Sequence, residues 1–128
     1  PDFYAFFEKG GTDLSKEEME LAGDVSGLDL LDTCCAADAR QSLSWANLGA
    51  SVTGCDITPS AIQNATQTAR RIGKDITFVV ADAQTLEPID DASQDLLYDL
   101  HRLAGRSLAG GADMAPRGHC AKCAGNPA

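Results

Sequence analysis

Nowhere in the chain do apolar residues run on for the roughly 18 positions that a bilayer-crossing helix needs, which excludes membrane-spanning function from the reading. Aromatic residues are sparse at 5%, histidine occurs twice, and ten lysines and arginines face nineteen acids. The basic residues form no cluster, and a formal charge of -9 repels phosphodiester backbones, which argues against nucleic acid as a partner. At the start, Pro1-Asp2-Phe3-Tyr4 offers no initiator Met, no basic n-region and no small-residue cleavage site. No signal peptide is expected there, and the chain is expected to begin inside a longer gene. A complete metal-ligand set is also missing. Cys120 and Cys123 make a CxxC beside His119, half of a zinc site or a redox pair, but no second ligand pair lies at suitable spacing, so no metal is expected. The remaining cysteines, Cys34, Cys35 and Cys55, sit in apolar stretches where a thiol behaves as a small hydrophobe, and the odd total of five suits a reducing cytoplasm.

What is present is an alternation of strand and helix signals in 128 residues of which 44% are hydrophobic, enough for one domain with a core. Ser15 and Glu18 have capping-box spacing, predicting a short helix from Lys16 to about Ala22 with Gly23 as its stop. "LDLLDT", 28 to 33, is an almost continuous apolar run of the kind buried on both faces of a parallel sheet. A helix is expected from Ala39 to about Leu48, with Asp38 as N-cap, Gln41 at N3 and Gly49 as its end. Ser51 to Cys55 reads as the second strand. Thr58 then caps a helix with Pro59 in its first position and an apolar face of Ala61, Ile62, Ala65 and Ala69 up to Gly73. Residues 76 to 81 and 95 to 100 complete four strands. The order predicts an α/β fold, a Rossmann-like parallel sheet with flanking helices, truncated after about four strands.

In such sheets ligands bind beyond the carboxyl ends of the strands, near the topological switch point. Asp56, at the tip of the second strand, can accept both hydroxyls of a ribose there. An acid in that turn can equally serve to cap or solvate it, and position alone leaves the two readings level. Four segments together go further: "LDLLDTCCAADA", "GASVTGCDITPSAIQNA", "FVVADAQTL" and "SQDLLYD". Residues 28 to 98 resemble class I S-adenosylmethionine-dependent methyltransferases, the second and third segments matching in residue type and separation. The resemblance implies a Rossmann-like fold and S-adenosylmethionine as cofactor. It implies that Asp56 holds the ribose hydroxyls, that Ile57 packs on the adenine, that Asp82 accepts the adenine amine beside the Ala83 backbone, and that Asp32 faces the methionine ammonium. It implies no covalent protein nucleophile and leaves the methyl acceptor, read as a small molecule, unidentified.

The first segment departs from the family pattern, because Cys34, Ala36 and Asp38 stand where glycines are usual. Alanine keeps a tight approach there where its φ is negative. Cys35, Ala36 and Ala37 are expected to line the cofactor, with Asp38 capping the next helix. Residues 1–27 are read as an aromatic segment and short helix; of Phe3, Tyr4, Phe6 and Phe7, most are expected in the core and Tyr4 has a polar tip suited to a substrate. Residues 28–100 are read as the cofactor-binding core. Residues 101–128, rich in Gly, Ala and Arg without β-branched residues, predict an irregular tail with no fifth strand, leaving the fourth strand an exposed edge. Read one nucleotide later, codons for this stretch can spell a protein-like sequence, so the tail is expected to be out of frame or disordered. Two other functions remain open: a non-catalytic adenosine-binding remnant, and a nicotinamide-dependent oxidoreductase, which the absence of GxGxxG disfavours.

Overall fold

Local sequence sets most of the helix ends seen in the computed structural model, which describes residues 2–91 and 93–99 and the backbone of 102–105. Asp2 accepts a hydrogen bond from the Tyr4 amide and starts α1 (Phe3–Glu8), so the aromatic segment is helical, which its composition does not predict. Helix α2 (Lys16–Ala22) begins at Ser15 with the expected capping box, both reciprocal bonds present, and ends at Gly23. The long helix α4 (Pro59–Ile72) has Pro59 in its first turn and Gly73 in the left-handed conformation at its end, as its sequence requires.

Helix α3 (Arg40–Asn47) differs from expectation. Its N-cap is Ala39, left-handed at φ 53° and with no side-chain capping bond. Asp38 therefore lies one residue too early to cap, and its carboxylate instead accepts from Arg40 Nε at 3.1 Å. Thr58 holds the N-cap position of α4, but its side chain makes no capping bond either.

The strands are β1 (Asp29–Asp32), β2 (Ser51–Asp56), β3 (Thr77–Val80), β4 (Leu96–Asp99) and β5 (Arg102–Gly105), in the spatial order β3-β2-β1-β4-β5. The first four are parallel. The fifth pairs antiparallel with β4, from Leu96 opposite Gly105 to Asp99 opposite Arg102. The expectation of a strandless tail and a bare β4 edge is thereby corrected: backbone pairing satisfies β4 even though residues 102–105 carry no strand-like composition. The expectations for 106–128, including Cys120, Cys123 and His119, fall outside the described residues.

Side chains alternate across the sheet and build two unequal layers. On one face Leu30, Val52, Leu96 and Tyr98 pack with Trp45 of α3 and Ala22 of α2. Phe7 of α1 lies on the same side against Leu43, Ala69 and Ile72, with Phe78 partly covered beneath. On the other face Leu31, Cys55 and Leu97 meet Leu86 and Ile89, which come from the segment after β3. Gly54 lets the helical layer approach: a Cβ there would sit 2.7 Å from the Phe78 ring and 3.1 Å from Ser42 Oγ. This anchors α3 directly over the end of β1, where the site lies.

Candidate functional site

The switch point falls between β1 and β4, since the chain leaves β1 toward β2 on one side and returns as β4 on the other. Strand register brings the carboxyl ends together, with Asp32 opposite Gly54 and Tyr98, and Asp56 opposite Val80. Asp32, Asp56 and Asp99 therefore terminate three neighbouring strands at one edge.

Asp32 is fully buried and accepts a hydrogen bond from Ser42 Oγ at 2.7 Å. Burial pushes its carboxyl up to about 6, against the lowering effect of Ser42 and the Cys34 amide, with the charges of Asp99 and Asp56 adding to the rise. Asp56 is half-buried and bridges two turns. Its Oδ1 accepts from the Thr58 amide at 3.0 Å and its Oδ2 from the Ala36 amide at 3.2 Å. The turn-stabilising role weighed for Asp56 is thus present, and it is compatible with ligand binding because a carboxylate has about four lone-pair sites. Asp82, also half-buried, accepts from the Gln84 amide at 2.8 Å.

The segment 33–39 wraps this edge. Thr33 N donates to Tyr98 O at 3.0 Å and Thr33 Oγ1 to Asp99 Oδ1 at 2.8 Å, joining the turn to β4. Cys35 N donates to Cys55 O at 2.9 Å and Cys55 Sγ to Thr33 O at 3.3 Å, joining it to β2. Cys35, expected to line the cofactor, has its side chain buried with Ala39, Ile62 and Ala65 rather than open to the edge. Burial also drives its thiol well above the usual range and that of Cys55 up to about 12, which leaves both protonated and inert. Ala36 and Ala37 are exposed at the edge. Ala36 has φ 58°, so the backbone follows the left-handed path natural to glycine, and not the negative φ expected for an alanine.

Beside Asp56 two large apolar side chains stand open, Ile57 at 64% exposure and Val80 at 44%. Ala83 is exposed next to Asp82. The arrangement is an apolar shelf at the ends of β2 and β3 with a carboxylate at each side. Among the described residues no group of acids, cysteines and histidines is placed to hold a metal. Sequence reasoning missed Thr33, Ser42 and Asp99. Asp99 carried a usable signal, an acid closing an apolar strand as Asp32 and Asp56 do; Ser42 had none, since only packing puts it over β1.

The N-terminal aromatics were expected mostly in the core; of the four, Phe7 is fully buried, Phe3 and Tyr4 are partly buried beside it, and Phe6 is 43% exposed. The Tyr4 ring lies under the Arg71 guanidinium at 3.8 Å, on α4.

A methyltransferase-domain family model matches residues 31–104, more than half of the chain. With the fold and the edge just described, the chain belongs to the class I S-adenosylmethionine-dependent methyltransferases. The match runs past Tyr98, so the likeness does not stop at the end of β4. An S-adenosylmethionine-dependent methyltransferase from Methanosarcina mazei is 30% identical, with a TM-score of 0.58 over 67% of this chain and 42% of its own. A structure described for the conversion of a disulfide bond into a thioacetal group during echinomycin biosynthesis is 35% identical, TM-score 0.51, over 56% of this chain and 28% of its own. TehB from Haemophilus influenzae, 22% identical with a TM-score of 0.57 over 77% of this chain and 34% of its own, shares the fold. No curated protein matches the chain. The chain thus spans less than half the length of these solved structures.

The edge fits S-adenosylmethionine, the family's cofactor. The exposed shelf of Ile57 and Val80 suits an adenine, the carboxylates keep lone pairs for hydroxyl and amine donors, and Ala36 and Ala37 present no bulk beyond a methyl.

Proposed function

We propose that this chain is the cofactor-binding part of a methyltransferase that acts on a small-molecule acceptor, with the adenosine moiety seated at the ends of β2 and β3. The observation that carries the reading is the pairing of exposed Ile57 and Val80 with Asp56 and Asp82 on adjacent strand ends. Asp56 accepts the ribose hydroxyls while it holds the Ala36 and Thr58 amides. Ile57 packs on the adenine, and Asp82 accepts its amine beside the Ala83 backbone. Asp32, braced by Ser42, faces the methionine ammonium, and exposed Ala36 and Ala37 border the methionine part.

When bound, the cofactor supplies an already activated methyl on its sulfonium. The protein's part is to orient and to keep water out, so no nucleophile is required of it. The acid excess points to an acceptor other than nucleic acid. No helix among the described residues is long and apolar enough to cross a membrane, and the free thiols of Cys34, Cys35 and Cys55 suit the cytoplasm.

Calorimetry with S-adenosylhomocysteine and with NAD tests the reading. The thioether is expected to bind and NAD not to. Asp56→Ala and Asp82→Asn are each expected to weaken S-adenosylhomocysteine about ten- to a hundredfold, the cost of a lost hydrogen bond to a charged acceptor, with far-UV dichroism unchanged. Equal affinity of Asp56→Ala and the parent refutes the assignment, and preferential binding of NAD moves it to an oxidoreductase.

A further inference from the structure

Away from the strand ends, the first residues of the chain are built onto the outer face of α3 with more care than simple covering needs. Asn47 Nδ2 donates to Phe7 O at 3.0 Å and to Gly11 O at 2.8 Å, and Asp13 N donates to Ser44 Oγ at 2.7 Å. These bonds clamp α1 and the following loop along one stripe of α3. Between them stays a cavity of about 290 Å³ lined by Asp2, Phe3, Phe6, Phe7, Asp13 and Arg40. That is just under the usual range of about 300–1,000 Å³ for ligand pockets.

Its walls are fixed. Phe3 and Phe6 each meet Phe7 edge to face with centroids 4.9 Å apart. Phe6 is 43% exposed, yet its ring lies so close to Gly11 that a Cβ there would come within 2.7 Å of ring carbons. Arg40 Nη1 lies 3.3 Å from Asp13 and its Nε 3.1 Å from Asp38, and its guanidinium stands 5.1 Å over the Phe3 ring. Among the described residues lining the cavity Arg40 is the one cation and is paired with Asp13 and Asp38, while Asp2 adds a second carboxylate to the lining. An incoming anion would have to displace Asp13 from Arg40. An incoming cation meets the Asp2 carboxylate and Asp13 Oδ1, since the pair with Arg40 engages Oδ2, and the aromatic faces, whose quadrupoles attract positive charge.

We infer that the cavity between α1 and the start of α3 binds a small organic amine with an apolar body, its ammonium at Asp2 and Asp13 and its body against Phe3 and Phe6. The pocket shares no residue with the cofactor edge, so occupancy of the two is separately measurable. The test is a heteronuclear NMR titration of the whole chain with three probes of similar body: phenethylamine, 2-phenylethanol and phenylacetate. Phenethylamine is expected to saturate and to shift the amides of Phe6, Gly11, Asp13 and Arg40, with the alcohol about tenfold weaker and phenylacetate without effect. Asp13→Asn is expected to lower amine affinity about tenfold. Phe6→Leu, which keeps apolar bulk at a half-exposed position and loses the ring, is expected to lower it about threefold. Both variants are expected to bind S-adenosylhomocysteine as the parent does. The inference is overturned if phenethylamine gives no saturable shifts, if phenylacetate binds the parent as well as the amine does, or if both variants bind the amine unchanged.

Discussion

After β2 the chain enters α4 in two residues, 57 and 58, whereas after β1 it takes seven, 33 to 39, to reach α3. Both turns stand at the same edge of the sheet, but different forces shape them. The short turn closes on itself: Asp56 Oδ1 takes the amide two residues on, and Pro59 has its φ preset for a first helical turn. The long turn is held from outside by Tyr98 and Asp99 of β4 and by Cys55 and Asp56 of β2, while Ser42 of α3 braces Asp32 just before it. It carries left-handed alanines at 36 and 39, a conformation that costs about 1 kcal/mol or more for a residue with a Cβ. A turn held by distant contacts can carry residues in conformations that local preference disfavours, while a self-contained turn rests on its own residues.

The largest expected effect sharpens this contrast at Asp32. Its folded-state pKa lies above the unfolded value, so between about pH 4 and 6 the folded chain binds more protons than the unfolded one. The acid's contribution is favourable below that window and is lost as pH rises through 6. Asp32→Asn, which keeps an oxygen for Ser42 to donate to, is expected to be more stable than the parent at pH 7 by up to about 3 kcal/mol. The difference should shrink to nearly nothing at pH 4, as read by urea unfolding. A difference independent of pH would place the stability of the long turn elsewhere.

Gly54 links the two turns, since it lies on β2 under Phe78 and under the serine that braces Asp32. Gly54→Ala is expected to cost about 1–3 kcal/mol by overpacking, and to weaken S-adenosylhomocysteine binding along with stability. Binding that stays at the parent level while stability falls would show that the turns move independently.

The smallest effects test backbone conformation alone. Ala36→Gly relieves a left-handed residue on the exposed edge and is expected to gain up to about 1 kcal/mol. Ile57→Gly, in the turn whose residues have no left-handed φ, is expected to lose about 0.5–1 kcal/mol, because glycine adds freedom only to the unfolded chain. Thermal unfolding of the pair checks both signs, and equal signs would erase the distinction between the turns.

How much of this was legible follows the same division. The capping box of α2, the Pro59 start and Gly73 end of α4, and the four apolar strands are local patterns and stand within a residue or two of expectation. Helix α3 was legible as a helix but not in its start, because Ala39 adopts a conformation that only the surrounding contacts hold. Helix α1 was missed because four aromatics in six positions obscured the simpler sign, an Asp at its N-cap. Strand β5 was missed because Arg102–Gly105 pairs through backbone groups, which composition does not report.

Periodicity, caps and terminal acids, all within a few residues of one another, determined by themselves that this chain forms a wound parallel sheet with Asp32, Asp56 and Asp82 at strand ends. Only the tertiary structure decided which of those acids is buried, that Asp99 joins them across the β1–β4 junction, that Cys35 turns into the core while Ala36 faces out, and that α1 leaves an acidic aromatic cavity on α3. These outcomes depend on groups from distant parts of the sequence meeting in space, such as Ser42 on Asp32 or Thr33 on Asp99. Burial and charge at each position are properties of that meeting, and no stretch of chain contains them alone.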